Sequence, residues 1–141
     1  MRSRSDKVIA MTSQSGRTIL VVDDEADVLT FVTTLLEDNG FSVITAGNGK
    51  EGFAKAKSEK PDLILLDISM PEESGVRMYR NLREDKETAA IPVIMLTGVS
   101  HDFKRFIETR HQVPPPDGYF DKPPDRDQLL AKINELTGAK V

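Results

Sequence analysis

From residue 18 onwards, short apolar runs alternate with longer segments in which apolar residues recur every three or four positions. The short runs are rich in β-branched residues and are typical of strands, whereas the longer spacing is typical of amphipathic helices. Strands are predicted at residues 19–22, 41–45, 63–66, 91–96 and 118–120. Because a helix is predicted after each of them, the chain contains five strand–helix units in succession.

The helix predictions rest on apolar residues that share one face of each segment: Val28, Val32, Leu35 and Leu36; Phe53 and Ala56; Val76, Tyr79 and Leu82; Phe103, Phe106 and Ile107; and Leu129, Ile133 and Leu136. The fourth helix is predicted at residues 102–111 and the fifth at 125–136. Asn39-Gly40 is a stop signal for the first helix, Asn48-Gly49 opens the second, and Ser74 can cap the third.

Regular alternation of strands and helices predicts a parallel sheet, because parallel neighbours need crossover helices. Residues 63–66 are apolar throughout, so that strand needs helices on both of its faces. We therefore predict one doubly wound α/β domain over residues 18–138. Residues 1–17 are basic and rich in serine and are expected to form a disordered tail, with a short second tail at 139–141.

In an open α/β sheet, ligands bind outside the carboxyl ends of the strands. The polar residues expected at that edge are, in chain order, Asp23, Asp24, Glu25, Asp67, Thr97 and Lys122. The second strand brings only Thr45, Ala46 and Gly47 to the same edge. Several carboxylates, one hydroxyl and one ammonium are thus predicted to lie together.

Clustered carboxylates need either raised pKa values or a cation among them, because two unit charges about 4 Å apart repel by roughly 4 kcal/mol at an effective dielectric of about 20. Oxygen ligands without His or Cys favour Mg²⁺. Lys122 could neutralise the acids or bind an anion, and the neutral Thr97 hydroxyl favours the second role. A phosphoryl group suits this set, and Asp67 is the candidate nucleophile that would form an acyl phosphate.

Composition narrows the classes of protein that fit. The chain has 141 residues, no cysteine and a net charge of −4, so disulfides and thiolate sites are excluded and no nucleic-acid footprint is present. His101 and His111 match no metal-ligand spacing and are interpreted as surface residues. No run is long enough to cross a membrane. A cytoplasmic protein is expected.

Four motifs resemble the receiver domain of two-component response regulators: ILVVDDE, PDLILLDISMPEESG, IPVIMLTG and GYFDKP. The resemblance covers residues 18–138. The resemblance implies a flavodoxin-like receiver fold with a five-stranded sheet in the order 2-1-3-4-5. It also implies a protein that catalyses only its own phosphorylation and dephosphorylation.

Residue roles follow from the same resemblance. Asp67 would accept the phosphoryl group, and Thr97 and Lys122 would bind its oxygens near the Gly98 N–H. The ligands of Mg²⁺ would be Asp23, Asp24, Asp67 and the backbone carbonyl of Ser69. Tyr119 would act with Thr97 as a conformational switch. The Lys122–Pro123 peptide bond is expected to be cis.

The resemblance further implies a histidine kinase or phosphotransfer protein as donor. A downstream protein would bind the face built from the fourth helix, the fifth strand and the fifth helix. A homodimer stays open. The stretch HQVPPPDGYF departs from the family's usual pattern and leaves the partner geometry open; residues 114–116 are interpreted as a rigid spacer rather than a docking motif.

Three other functions are compared with the residues at this edge. An aspartate-nucleophile phosphatase would need an acid two residues after Asp67, where Ser69 stands. A flavodoxin-like electron carrier would have its phosphate repelled by the acids that follow the first strand. A pseudo-receiver that is not phosphorylated stays open. Since little chain follows the last predicted helix, a stand-alone receiver is expected, and a piece of a longer regulator is the alternative.

Overall fold

The computed structural model describes residues 16–98 and 115–138. The strands are β1 Thr18–Val22, β2 Ser42–Ala46, β3 Leu63–Asp67, β4 Val93–Thr97 and β5 Gly118–Asp121. The helices are α1 Ala26–Asp38, α2 Gly49–Glu59, α3 Ser74–Glu84 and α4 Arg126–Thr137, with a 3₁₀ turn at Pro71–Glu73 before α3. All five predicted strands are present, with ends shifted by one or two residues. The predicted helix at 102–111 lies outside the described residues, as do both histidines, and α4 corresponds to the fifth predicted helix.

The five strands form one parallel sheet in the order β2-β1-β3-β4-β5. This is the order that the family resemblance implied. The register places Val22 of β1 beside Leu66 of β3, and Asp67 beside Leu96 of β4. Since Thr97 in turn lies beside Asp121 at the end of β5, the carboxyl ends of these strands share one edge.

Helices cover both faces of the sheet, as predicted. Alternate residues of β1 face opposite sides: Leu20 and Val22 pack in a cluster with residues of α2 and α3, whereas Ile19 and Val21 pack with residues of α1 and α4. All five residues of β3 are buried, which explains why its sequence does not alternate. Sandwiching the sheet in this way fixes the strand ends that carry the candidate site.

Local signals acted largely as predicted. Asn48 caps α2 by accepting a hydrogen bond from the Glu51 N–H, and α1 ends at Asn39. Ser74, however, is the first residue of α3, and its hydroxyl accepts a hydrogen bond from the Gly49 N–H at 2.7 Å. The side chain thus joins the starts of α2 and α3, and the prediction that it caps α3 is wrong.

No helix in the described ranges is both long enough and apolar enough to cross a membrane.

Candidate functional site

Two buried aspartates lie at the carboxyl ends of the central strands. Asp23 follows β1 and Asp67 ends β3, with exposed fractions of 0% and 1%. Each is oriented by the backbone two residues further on: Asp23 Oδ1 accepts from the Glu25 N–H at 2.9 Å, and Asp67 Oδ1 accepts from the Ser69 N–H at 2.8 Å. In both residues this leaves the second oxygen for other contacts.

The start of α3 lies directly against the end of β3. A Cβ atom at Gly75 would overlap the backbone carbonyl oxygen of Asp67 and would lie 2.8 Å from the Cα atom of Ile68. Backbone atoms cannot move aside as a flexible side chain can. Glycine at position 75 therefore permits the close approach that holds the Asp67 segment in place.

Lys122 lies among three carboxylates. Its Nζ is 2.8 Å from Glu25 Oε1, 3.0 Å from Asp23 Oδ2 and 3.1 Å from Asp67 Oδ2. The Lys122 side chain is 11% exposed and that of Glu25 is 60% exposed. The ammonium thus balances part of the negative charge of the three acids, and its role in binding an anion stays a prediction.

The charges of this cluster shift one another's protonation. Burial raises the pKa of Asp23 to about 6, helped by the nearby Asp67 carboxylate and opposed by the Glu25 N–H and by Lys122. Burial alone would lower the pKa of Lys122, but its contacts with Glu25 and Asp23 outweigh that effect and raise it. The hydrogen bond from Lys122 lowers the pKa of Glu25. Lys122 is thus charged at neutral pH, while Asp23 keeps its proton up to a higher pH than an ordinary aspartate does.

The acids are close enough to share a cation. Asp23, Asp24, Glu25 and Asp67 each offer a carboxylate oxygen, and these oxygens all lie within 4.8 Å of one another. The buried Asp23 Oδ2 has no hydrogen-bond donor among the described residues, because the Lys122 ammonium faces it as an ion pair without hydrogen-bond geometry. Hard oxygen ligands that include a buried carboxylate oxygen without a hydrogen-bond donor fit Mg²⁺.

Thr97 and Lys122 are joined by the backbone. Thr97 ends β4 with an exposed fraction of 3%, and its carbonyl oxygen accepts a hydrogen bond from the Lys122 N–H at 2.9 Å. The peptide bond between Lys122 and Pro123 is cis, as expected from the resemblance. Tyr119 is half-buried in β5 beside Met95, against the cluster on the α2 and α3 side.

Two features of the site were not foreseen. The sequence placed Glu25 at this edge but gave it no role, whereas the structure pairs it with Lys122. The backbone carbonyl of Ser69 was expected to bind metal; in the structure its N–H orients Asp67 and its hydroxyl accepts from the Gly98 N–H at 2.9 Å. The Gly98 N–H, expected near phosphoryl oxygens, is thus committed to Ser69. The contacts Glu25–Lys122 and Ser69–Gly98 have no local sequence signal, because their partners lie 97 and 29 positions apart.

Comparison with known proteins places this chain in a family. The family described as the response regulator receiver domain matches residues 19–134. Protein PilH of Pseudomonas aeruginosa is 40% identical over 118 residues, which cover 84% of this chain and 95% of PilH. The transcriptional regulatory protein PhoP of Bacillus subtilis is 35% identical over 86% of this chain, but the match spans only 48% of PhoP.

Solved structures agree with the sequence comparison. The CheY-like response regulator receiver domain protein from Methanospirillum hungatei has a TM-score of 0.73 and 31% identity, over 86% of this chain and 94% of that one. The strand order, the solved structure and the sequence matches agree with one another. The chain belongs to the response regulator receiver domain family of two-component systems.

Proposed function

We propose that the protein is a phospho-accepting receiver that takes a phosphoryl group onto Asp67 in the cytoplasm and signals through a protein partner. The observation that carries this proposal is the geometry at Asp67: one carboxylate oxygen is fixed by the Ser69 N–H, and the other lies 3.1 Å from Lys122 Nζ among further acids. A carboxylate held in this way can act as a nucleophile opposite a cation that stabilises the transferred charge.

In the proposed reaction a carboxylate oxygen of Asp67 attacks the phosphorus of a phosphohistidine. An O–P bond forms as the P–N bond breaks, and the electron pair leaves with the imidazole nitrogen, which then takes up a proton. Lys122 exchanges one of its carboxylate contacts for a contact with a phosphoryl oxygen, and the Thr97 hydroxyl donates to another. The product is an aspartyl phosphate.

Asp23, Asp24 and Asp67, with the Ser69 carbonyl, would hold Mg²⁺. When bound, this ion neutralises the acids and offers open positions to phosphoryl oxygens. The donor set supports this assignment, because it contains only oxygen atoms and includes a buried aspartate oxygen that lacks a hydrogen-bond donor among the described residues.

Signalling is proposed to be a population shift. Phosphorylation adds close to two negative charges, and Lys122 can contact them only by giving up one of its three carboxylate contacts. Because the Lys122 N–H is bonded to the Thr97 carbonyl, movement at the lysine is transmitted to the end of β4. Tyr119 and the face that includes β5 and α4 would then present a different surface to a downstream protein.

The donor is proposed to be a histidine kinase or a phosphotransfer protein, in keeping with the chemistry of the site. External substrates would not be turned over. The alternative is a pseudo-receiver, in which Asp67 would not be phosphorylated. A single experiment on Asp67 therefore separates the two functions.

The test is incubation with acetyl phosphate and Mg²⁺, followed by intact-mass measurement. Wild type is expected to gain one phosphoryl group, and Asp67→Asn or removal of Mg²⁺ is expected to abolish the gain. Asp121→Asn is a matched control, because Asp121 is an exposed acid at the end of β5 on the same edge of the sheet. A wild-type protein that gains nothing, or a gain that survives Asp67→Asn, would refute the proposal.

A further inference from the structure

The ammonium group of Lys122 is fully surrounded in the resting protein. Three carboxylate oxygens lie within 3.1 Å of Lys122 Nζ: those of Glu25 and Asp67 accept hydrogen bonds from it, and that of Asp23 forms an ion pair, so carboxylates fill the space around the nitrogen. A phosphoryl oxygen can take up a contact with this nitrogen only if one of the carboxylates gives way. The local structure around each carboxylate therefore determines which of the three leaves.

Glu25 differs from the two aspartates in its exposure to solvent and in its hydrogen bonds, which decide how easily a carboxylate can leave Lys122. Asp23 and Asp67 are buried, and each is tied to a backbone N–H. The Glu25 side chain is 60% exposed, and among the described residues its carboxylate contacts only Lys122. Water can replace that contact as the Glu25 side chain turns outwards, whereas a buried aspartate that lost Lys122 would stay out of reach of bulk solvent.

We propose that Glu25 is a competing anion built into the site, whose carboxylate holds the lysine contact that a bound phosphoryl group requires. The inference rests on the proposed function and extends it. Glu25 would bias the receiver towards its unphosphorylated state in two ways: it must be displaced from Lys122, and its negative charge stays near the mouth through which an anionic donor enters.

The size of the effect follows from the exposure of Glu25, which is 60% although Lys122 is only 11% exposed. Ion pairs between exposed side chains contribute little, which corresponds to a change of about two- to fivefold in an equilibrium constant. Residual repulsion of the phosphoryl group adds to this and is screened by salt, with a Debye length of about 10 Å at 0.1 M ionic strength. Loss of Glu25 is thus expected to strengthen anion binding by roughly three- to tenfold at low salt, and by less at high salt.

Replacement of Glu25 should leave the fold intact. The residue precedes α1 as its N-cap, but its side chain makes no capping hydrogen bond. Its contribution to Asp23 comes from the backbone N–H, which every replacement except proline retains. Glu25→Gln changes only the charge, and Glu25→Ala removes the contact altogether.

The test is calorimetric titration with beryllium fluoride, a phosphoryl mimic, at saturating Mg²⁺ and two salt concentrations. Saturating Mg²⁺ equalises metal occupancy, which a separate Mg²⁺ titration of each variant verifies. We expect affinity for beryllium fluoride to rise in the order wild type, Glu25→Gln, Glu25→Ala. The matched control is Asp27→Asn, which removes an exposed acid from the first turn of α1; it should change affinity by less than about twofold.

Each outcome bears on a different statement. Unchanged or weaker binding in both Glu25 variants, or an equal gain in Asp27→Asn, would overturn the role of Glu25. Wild type that does not bind beryllium fluoride at all would instead count against the proposed function. Failure of the inference alone would appear as normal binding by wild type, lost in Asp67→Asn, with no gain on removal of Glu25.

Discussion

The backbone N–H of Lys122 donates to the carbonyl oxygen of Thr97 at 2.9 Å, which joins the end of β5 to the end of β4. The two residues proposed to bind phosphoryl oxygens are therefore linked by a hydrogen bond between their backbones. A shift of either residue on phosphorylation must be accommodated by the other.

Thr97→Val should separate anion binding from packing, because valine has nearly the same shape but no hydroxyl. A hydrogen bond to a charged group contributes about 1.5–3 kcal/mol, so we expect beryllium fluoride to bind at least about tenfold more weakly. Thr97→Ser, which keeps the hydroxyl, should lose much less. Equal affinities of the valine and serine variants, measured by calorimetry, would exclude a role for the hydroxyl.

Magnesium should stabilise the folded protein through Asp24. A ligand that binds only the native state raises the free energy of unfolding by about 2.7 kcal/mol at a concentration one hundred times its Kd. Thermal melts with increasing Mg²⁺ should therefore shift upwards in wild type and much less in Asp24→Asn. Asp38→Asn, at the far end of α1, is the control and should retain the full shift. A full shift in Asp24→Asn would remove this residue from the metal site.

Without metal, Asp23→Asn should stabilise the protein at neutral pH. The pKa of Asp23 is raised by burial to about 6, so the folded state binds the proton more tightly than the unfolded state and loses stability as pH rises from about 4 to 6. Asparagine avoids that loss, which is about 3 kcal/mol. Urea unfolding in EDTA should show the gain at pH 7.5 and little difference at pH 3.5. A gain that is the same at both pH values would contradict this explanation.

Gly75→Ala should be destabilising, because its Cβ would overlap backbone atoms of Asp67 and Ile68. Overpacking of this kind costs about 1–3 kcal/mol, and the displaced Asp67 should also accept phosphate more slowly. Gly47→Ala is the matched control, since a Cβ there would meet only Glu51 Oε1, at 3.9 Å. Urea unfolding at pH 7.5 measures the cost, and a Gly75→Ala protein as stable as the Gly47 control would show that the strand end can relax.

The sheet and the edge of the site could be read from the sequence because both depend on local pattern. Runs such as residues 63–66 mark buried strands, and parallel strands must end at one edge, so Asp23, Asp67 and Lys122 were expected together. Contacts that depend on side-chain reach could not be foreseen. Arg83 is one example: its guanidinium contacts Tyr79, the carbonyls of Ala89 and Ile91, and Asp117.

The position of Ser74 shows a second kind of limit. A serine before a helix usually caps it, but the Gly49 N–H offered this hydroxyl a partner from another helix start, and tertiary packing prevailed over the local rule. The contact of Glu25 is a similar case, because its partner Lys122 is distant in sequence and only the folded sheet brings the two side chains together.

The most direct measurement is to locate the phosphoryl group within the chain. The protein is treated with acetyl phosphate and Mg²⁺, reduced with borohydride, which converts an aspartyl phosphate to homoserine, and analysed by peptide mass spectrometry. We expect homoserine at position 67 alone, and none when EDTA is present. Homoserine at another acidic residue with Asp67 intact would contradict the central claim.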